Sequence, residues 1–355
     1  MSFKLDNGRI NIVDRTLPEI FTEKQHGKRL EIIYLCWLLK DVGVDYFEIN
    51  TTIQKLIGKL PAGLDFIYRI ENEEDAKRCI DSHVKKCVIS LDLMKRLDLL
   101  NLLKKHNVSI TIEYPVNEFE ELFKIKYLDK NILEKHISYI RITGLDTFVI
   151  PKWINEIKNT EKKFKLKVNL CPQNEFGEAT ALCIEGIMNN IHFITTSFTG
   201  YGRENGYAPL EEVLLALKVL LNRKSKINLS KLSQIASFYS TITGRIIPEN
   251  KPVIGEGIFK YQSGIHADGI EKNPITYELF APCFVGQNRT LTIGKHSGKR
   301  AVQKKLKELG IKCRIEEAAE ILGLIREKSV ENKRDLFDQE IIDIYKENVK
   351  KLIMA

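Results

Sequence analysis

Eight short runs rich in β-branched and aromatic residues recur between residues 10 and 196, and a helix-capable stretch follows each run. Strands that alternate with helical segments indicate a parallel sheet with helical crossovers. Eight such units are what a closed (β/α)8 barrel requires. The sequence therefore predicts an α/β fold, a TIM barrel. Its strands are expected at residues 10–13, 46–49, 65–69, 86–90, 109–114, 139–143, 166–170 and 193–196.

The texture of the sequence changes after the barrel segment. Residues 246–298 are rich in Gly and Pro and show little periodicity, which favours a linker subdomain. Residues 299–355 carry Leu and Ile at heptad-like spacing among Lys and Glu, which is typical of helices. We therefore predict a TIM-barrel domain at 1–245, a linker subdomain at 246–298 and a small C-terminal helical subdomain at 299–355.

The composition is that of a globular protein. The 355 residues are 43% hydrophobic and 29% charged, which is enough to bury a sizeable core. No apolar run is long and uncharged enough to cross a bilayer, and the N-terminus lacks the continuous apolar segment of a secretory signal. The seven cysteines include no CxxC pair, which favours a reduced compartment. We expect a cytoplasmic protein with no membrane partner.

The formal net charge of +8 raises the question of a polyanionic partner. Lys and Glu are interleaved along segments such as KKLKELG, which indicates a solvated surface rather than a nucleic-acid face. We therefore expect no nucleic-acid partner. A cationic surplus is compatible with carboxylated or phosphorylated small-molecule substrates.

Functional residues of a TIM barrel lie at the carboxyl ends of its strands. Polar and nucleophilic side chains at or just after the predicted strands are therefore the first candidates for a site. They are Asp14, Glu19, Glu48, Arg141, Cys171, Gln173 and Ser197.

The segment after the barrel contains SGIHADGI, TYE and GKHSG within little more than forty residues. This combination closely resembles the linker region of the homocitrate and isopropylmalate synthases, which join acetyl-CoA to a 2-oxo acid by a Claisen condensation. The resemblance implies that His266 and Tyr277 reach into a neighbouring subunit's barrel and assist proton transfer there. His suits removal of a proton from the acetyl methyl group, and Tyr suits donation to the new alkoxide. For His296, in GKHSG, we expect a structural role.

The first strand resembles the same family but departs from it at the active positions. The family pattern DTTLRDGEQ becomes DRTLPEIFTEKQ here, so Pro18 stands at the position of the catalytic arginine. Glu19 stands at the position of the carboxylate that binds a divalent cation. Loss of the arginine should remove a large electrostatic contribution to the transition state. We expect that Arg15 does not replace it, because at a strand end its side chain should point elsewhere.

Two further family patterns are altered. HCHNDLG becomes CPQNEFG, which places Cys171 and Gln173 where two histidine ligands of the metal belong. TVNGLGERAGNA becomes SFTGYGRENGYA, which places Ser197 at a substrate-binding threonine and Tyr207 at an asparagine. The metal shell is therefore reduced to Glu19, since Gln is a poor ligand for a transition metal. Ser197 and Arg141 remain the candidates for substrate binding.

An intact linker beside a barrel with a degraded metal site resembles the omega-type subunit of a split homocitrate synthase. The resemblance implies an alpha-type partner subunit whose barrel holds the divalent metal, Mg, Mn or Zn, and receives His266 and Tyr277. Acetyl-CoA and 2-oxoglutarate would be the substrates, and the product would serve nitrogenase cofactor assembly. A homodimer is also possible.

Two other interpretations remain open. The chain could be a self-sufficient acyltransferase or lyase whose metal site is rebuilt from Cys171, Glu19 and Glu175. It could also be a non-catalytic regulatory pseudoenzyme in which His266 and Tyr277 are remnants. Metal content of the pure protein separates the first from the split enzyme, and activity of the partner alone separates the second.

Overall fold

The computed structural model describes residues 10–21, 29–116, 124, 128–145, 153–191, 193–203, 205–220 and 228–354, without the side chains of 267, 268, 271 and 350–354. The chain forms two compact units, Met1–Ile247 and Pro248–Ala355. The division into three parts at residues 245 and 298 stays a prediction. No helix in the described ranges is both long and apolar enough to span a membrane.

The first unit is a closed barrel of eight parallel strands in sequence order, as predicted. Pairing of Ile12 with Ile194 and of Asp14 with Thr196 joins the first strand to the last and closes the barrel. The strands are β1 Asn11–Asp14, β2 Tyr46–Ile49, β3 Phe66–Ile70, β4 Lys86–Ser90, β5 Ser109–Val116, β6 Ile137–Gly144, β7 Lys167–Pro172 and β8 Phe193–Thr196. β2, β4 and β8 have the predicted ends, and the others are shifted or lengthened by a few residues.

Helices with one buried face surround this barrel. In α4, for example, Ala76 and Cys79 are buried, and the Asn72 side chain accepts the N–H of Asp75 at 3.0 Å to begin the helix. The described helices of this unit are α1 Thr16–Ile20, α2 Arg29–Asp41, α3 Thr51–Ile57, α4 Glu73–Asp81, α5 Leu97–Lys105, α6 Lys130–His136, α7 Trp153–Phe164, α8 Ala179–Met188, α9 Leu210–Val219 and α10 Leu232–Thr243. Short 3-10 helices lie at Asp92–Lys95, Phe198–Gly200 and Leu229–Lys231.

An apolar layer fills the interior of the barrel. Its members come from six strands and are Val13, Tyr46, Ile67, Val88, Tyr139 and Phe193. Side chains of a strand alternate between its two faces, so the residue two positions further along each strand also points inward. Charged residues occupy several of those next positions, and they form the layer that carries the candidate site.

The second unit combines a short parallel pair of strands, β9 Lys260–Tyr261 and β10 Thr290–Leu291, with helices. The helices are α11 Gly264–Lys272, α12 Lys299–Glu308, α13 Ile315–Asn332 and α14 Asp338–Met354, with 3-10 helices at Pro274–Thr276 and Pro282–Val285. Leu291 and Ile293 share one core with apolar residues of α12, α13 and α14. The segment with the family motifs is therefore packed onto the helices that follow it.

Candidate functional site

Four charged side chains form a buried network inside the barrel. Arg69 donates from Nε to Glu48 at 2.8 Å and from its two terminal nitrogens to Glu113 at 2.9 and 2.7 Å. Arg141 donates from Nη1 to Glu48 at 2.5 Å and lies 3.3 Å from Glu113. Glu48 and Arg141 are fully buried. The sequence singled out Glu48 and Arg141 but not Arg69 and Glu113, although all four lie within their strands.

Both carboxylates of this network are ionised at neutral pH. Burial alone would raise the pKa of Glu48, but the charges of Arg141 and Arg69 outweigh it and lower that pKa far below its usual value. The same balance, with Arg69 as the main partner, lowers the pKa of Glu113 to about 2. The two nitrogens of Arg141 that are left, Nε and Nη2, find no acceptor among the described residues. Arg141 thus remains a predicted substrate ligand that this structure shows bound to Glu48.

Arg15 points into the barrel, and the prediction that its side chain points elsewhere is wrong. It lies two residues after Val13 of the apolar layer, so strand alternation directs both to the interior. Its Nη2 donates to Glu19 at 2.9 Å and its Nη1 lies 3.6 Å from the sulfur of Cys171. The guanidinium carbon lies 4.0 Å from the centre of the Tyr207 ring.

The other predicted barrel residues make hydrogen bonds or backbone pairings with nearby parts of the barrel. The Ser197 hydroxyl is buried and donates to the carbonyl of Tyr201 at 2.6 Å. Gln173 pairs through its backbone with Tyr207. Asp14 accepts the N–H and the hydroxyl of Thr16 at 3.1 and 2.7 Å. The substrate-binding role of Ser197 stays a prediction.

The residues that stand at the family's metal positions do not fit a divalent cation here. Glu19 is paired with Arg15, and its side chain is only 5% exposed. Burial raises the pKa of the Cys171 thiol, and Arg15 and Arg141 offset this only in part. Within the described ranges, no three His, Cys, Asp or Glu side chains are grouped so as to hold a metal ion. Glu175, the third member of the rebuilt-site alternative, is exposed.

His266 and Tyr277 lie together in the second unit. Their ring centres are 4.8 Å apart, and both rings border one groove of about 380 Å³. His266 is on α11, whose first turn is capped by the Ser263 hydroxyl accepting the N–H of Ile265 at 3.2 Å. Tyr277 follows a one-turn 3-10 helix. The predicted pair is therefore neighbouring and exposed, although eleven positions separate the two residues in the sequence.

The Tyr277 ring packs closely against α11, and the residue after it is held by an ion pair. A side-chain carbon at Gly269 would lie only 2.4 Å from the Tyr277 ring, so glycine is required for the ring to approach α11. Glu278 accepts two hydrogen bonds of 2.7 Å from Arg289, a fork-to-carboxylate pair that fixes the turn after Tyr277. The sequence analysis singled out neither Gly269 nor Glu278, although Gly269 belongs to SGIHADGI and Glu278 to TYE.

The GKHSG motif supports the strand that leads to His266. The Ser297 hydroxyl donates to the carbonyl of Gln262 at 3.2 Å and accepts the N–H of Gly294 at 3.0 Å. Arg326 donates to the carbonyl of Ser297 at 2.8 Å. The His296 backbone N–H points to the Gln262 side chain at 3.4 Å, while the residue itself is exposed. The motif therefore works through its backbone and its serine.

Comparison with known proteins agrees with these motifs. Residues 253–333 match a family described as homocitrate synthase post-HMGL domain-like. The homocitrate synthase omega subunit of Clostridium pasteurianum is 38% identical over 98% of both chains. Homocitrate synthase 1 of Nostoc sp. is 35% identical over 54% of this chain and 51% of its own. The 2-isopropylmalate synthase 2 of Caldanaerobacter subterraneus is 36% identical over 58% of this chain and 53% of its own.

Solved structures share the fold of the barrel. The HMG-CoA lyase of Bacillus subtilis superposes with a TM-score of 0.54 at 14% identity, covering 68% of this chain and 96% of the lyase. That of Pseudomonas aeruginosa gives 0.55 at 14% identity, covering 67% and 94%. At such identities the likeness concerns the fold alone. The near full-length match and the motifs go further, and the chain belongs to the acyltransferase family of homocitrate and isopropylmalate synthases.

Proposed function

We propose that this chain is one subunit of a homocitrate synthase and lends His266 and Tyr277 to the barrel of an alpha-type partner. The observation that carries the proposal is the exposed ring pair, 4.8 Å apart, on a unit outside the chain's own barrel. Exposed apolar side chains lie close to the pair in sequence: Ile265 is 77%, Ile275 83% and Leu279 73% exposed. Such an apolar surface is typical of a docking site for another protein.

The proposed reaction is the condensation of acetyl-CoA with 2-oxoglutarate. His266 takes a proton from the methyl group of acetyl-CoA, and the resulting carbanion attacks the 2-oxo carbon. Tyr277 donates the proton that the new alkoxide needs. Water then cleaves the thioester, which releases homocitrate and CoA and makes the condensation irreversible.

The divalent metal of the family, Mg, Mn or Zn, belongs in this proposal to the partner's barrel. The donor set of this chain's own barrel supports that assignment, since Arg15 already pairs with Glu19. We also propose that the complex works in the cytoplasm and that its product serves nitrogenase cofactor assembly. The name of the Clostridium relative, an omega subunit, supports a complex of unlike subunits.

Reconstitution tests the proposal. Homocitrate formation and CoA release are measured for this chain alone, for an alpha-type subunit alone, and for their mixture. We expect activity only in the mixture, which size-exclusion chromatography should show as a heteromer. Homocitrate formation by this chain alone at the rate of the mixture would contradict the proposal. Full activity of the partner alone would favour the regulatory pseudoenzyme.

A further inference from the structure

We propose that the guanidinium of Arg15 is a built-in cation that stands in place of a metal ion in this chain's barrel. The barrel then folds without a divalent ion and does not bind one. This proposal concerns the isolated chain and rests on different observations from the proposed function. It can be wrong while the proposed partnership is right, and the partnership can be wrong while this proposal is right. If Arg15 fills the metal position, this explains why the proposed function assigns catalysis to the barrel of the partner subunit.

Arg15 contacts three residues of the barrel: Glu19, Cys171 and Tyr207. Its Nε and Nη2 lie 3.2 and 2.9 Å from Oε1 of Glu19, and its Nη1 lies 3.6 Å from the Cys171 sulfur. The Tyr207 ring covers one face of the guanidinium at 4.0 Å. These three residues stand at positions of the family's metal shell. A metal ion could reach Glu19 only by displacing the arginine.

The positive and negative charges around Arg15 are equal in number. In the charged layer of the barrel three arginines, Arg15, Arg69 and Arg141, face three glutamates, Glu19, Glu48 and Glu113. Ions sheltered from water are tolerated when they are paired and costly when they are not. A divalent ion would add two positive charges to a set that already balances.

The hydrogen-bond inventory points the same way. A metal ion needs oxygen, nitrogen or sulfur lone pairs that are still available. The unpaired buried atoms of the charged layer are donors instead, since Nε and Nη2 of Arg141 have no acceptor among the described residues.

The same ion pair ties the first strand to the loop after β8. Oε2 of Glu19 accepts the backbone N–H of Arg203 at 3.1 Å, while Oε1 holds Arg15. The Tyr207 ring that covers Arg15 lies so close to Gly202 that a side-chain carbon there would meet it at 2.2 Å. Arg15 and Glu19 therefore join the end of β1 and α1 to the loop that carries Arg203 and Tyr207.

Metal binding by the isolated chain is the direct test. The protein is stripped with a chelator, dialysed, and titrated with MnCl2 and with ZnCl2 by calorimetry, and its unfolding midpoint is recorded with and without each ion. We expect no stoichiometric uptake and no change in the midpoint. One tightly bound ion per chain would overturn the proposal.

A pair of variants isolates Arg15. One carries Cys171→His, Gln173→His and Tyr207→Asn, and the other adds Arg15→Thr, so that the two differ at Arg15 only. We expect the fourfold variant to bind Mn2+ at least tenfold more tightly than the threefold variant, roughly 1.4 kcal/mol. Equal affinity of two folded variants would contradict the proposal.

Stability variants keep the proposal testable if the fourfold variant does not fold. Arg15→Lys keeps a cation beside Glu19, whereas Arg15→Met keeps the bulk and removes the charge. We expect Arg15→Met to lower the unfolding midpoint well below that of Arg15→Lys. An unfolding midpoint for Arg15→Met equal to that of the native protein would overturn the assignment.

Discussion

The barrel interior and the His266–Tyr277 groove both hold residues at family motif positions, yet their polar groups are in opposite states. In the barrel, Glu48 and Arg141 are fully buried and bonded to each other. In the groove, Tyr277 is 47% exposed and its ring centre lies 4.8 Å from that of His266. Charges that neutralise one another hold a structure together, whereas catalytic groups must be free to meet a substrate. We therefore propose that the first region contributes stability and that the second contributes chemistry.

Removing one buried charge from the barrel should cause the largest loss of stability. Glu48→Ala leaves Arg69 and Arg141 to share one carboxylate of the network, that of Glu113, so we expect the free energy of unfolding to fall by about 3–5 kcal/mol. Urea unfolding measures this loss. Glu74, which pairs with Arg78 at the surface, is the matched control.

Glu74→Ala should leave the free energy of unfolding unchanged within error. Equal losses for Glu48→Ala and Glu74→Ala would show that the interior network contributes no more to stability than a surface ion pair.

Crowding Tyr277 sharpens the comparison on the side of the groove. An alanine methyl at Gly269 would lie 2.4 Å from the Tyr277 ring, which must then move. We expect Gly269→Ala to lower the activity of the reconstituted complex by about tenfold or more, because displaced catalytic groups lose reactive geometry.

Gly323 provides the control for this effect. It also lies inside a helix, α13, but a side-chain carbon there meets nothing within 4 Å. Gly323→Ala should leave activity unchanged and stabilise the chain by about 0.4–1 kcal/mol. Unchanged activity in Gly269→Ala would mean that the position of Tyr277 does not matter.

Acid should weaken the barrel through Glu113. The arginines lower the pKa of Glu113 to about 2, below its usual 4.5. A carboxyl whose pKa is lower in the folded state stabilises the fold above the unfolded pKa, and this contribution is lost as the pH falls through the folded pKa. We therefore expect the difference in stability between the native chain and Glu113→Gln to be full above pH 4.5 and to shrink towards pH 2. A difference that stays constant over this range would refute the assignment.

The barrel could be predicted from the sequence because each strand is a short apolar run with a helix after it, and all eight runs became strands. The direction of Arg15 was missed because it was judged as a strand end. Side chains two positions apart share one face of a strand, so Arg15 should have been expected on the inward face with Val13. Arg69 and Glu113 carry the same signal inside their strands.

The groove depends on contacts that a single sequence does not show. The family motifs identified His266 and Tyr277, but not that their rings touch. That contact requires the chain to turn after α11 and requires Gly269 to lack a side chain. The Glu278–Arg289 pair joins residues on either side of a further turn, and no local pattern predicts it.

The central claim, that chemistry resides in the second unit of this chain, is tested most directly by two histidine variants in the reconstituted complex. His266→Ala should lower homocitrate formation by about 10²–10⁴-fold, the usual contribution of a general base. His296→Ala changes an exposed histidine of the same unit that contacts Gln262 only through its backbone, and should leave the rate unchanged. Assembly, followed by size-exclusion chromatography, should persist in both. Full activity with His266→Ala in an assembled complex would contradict the account.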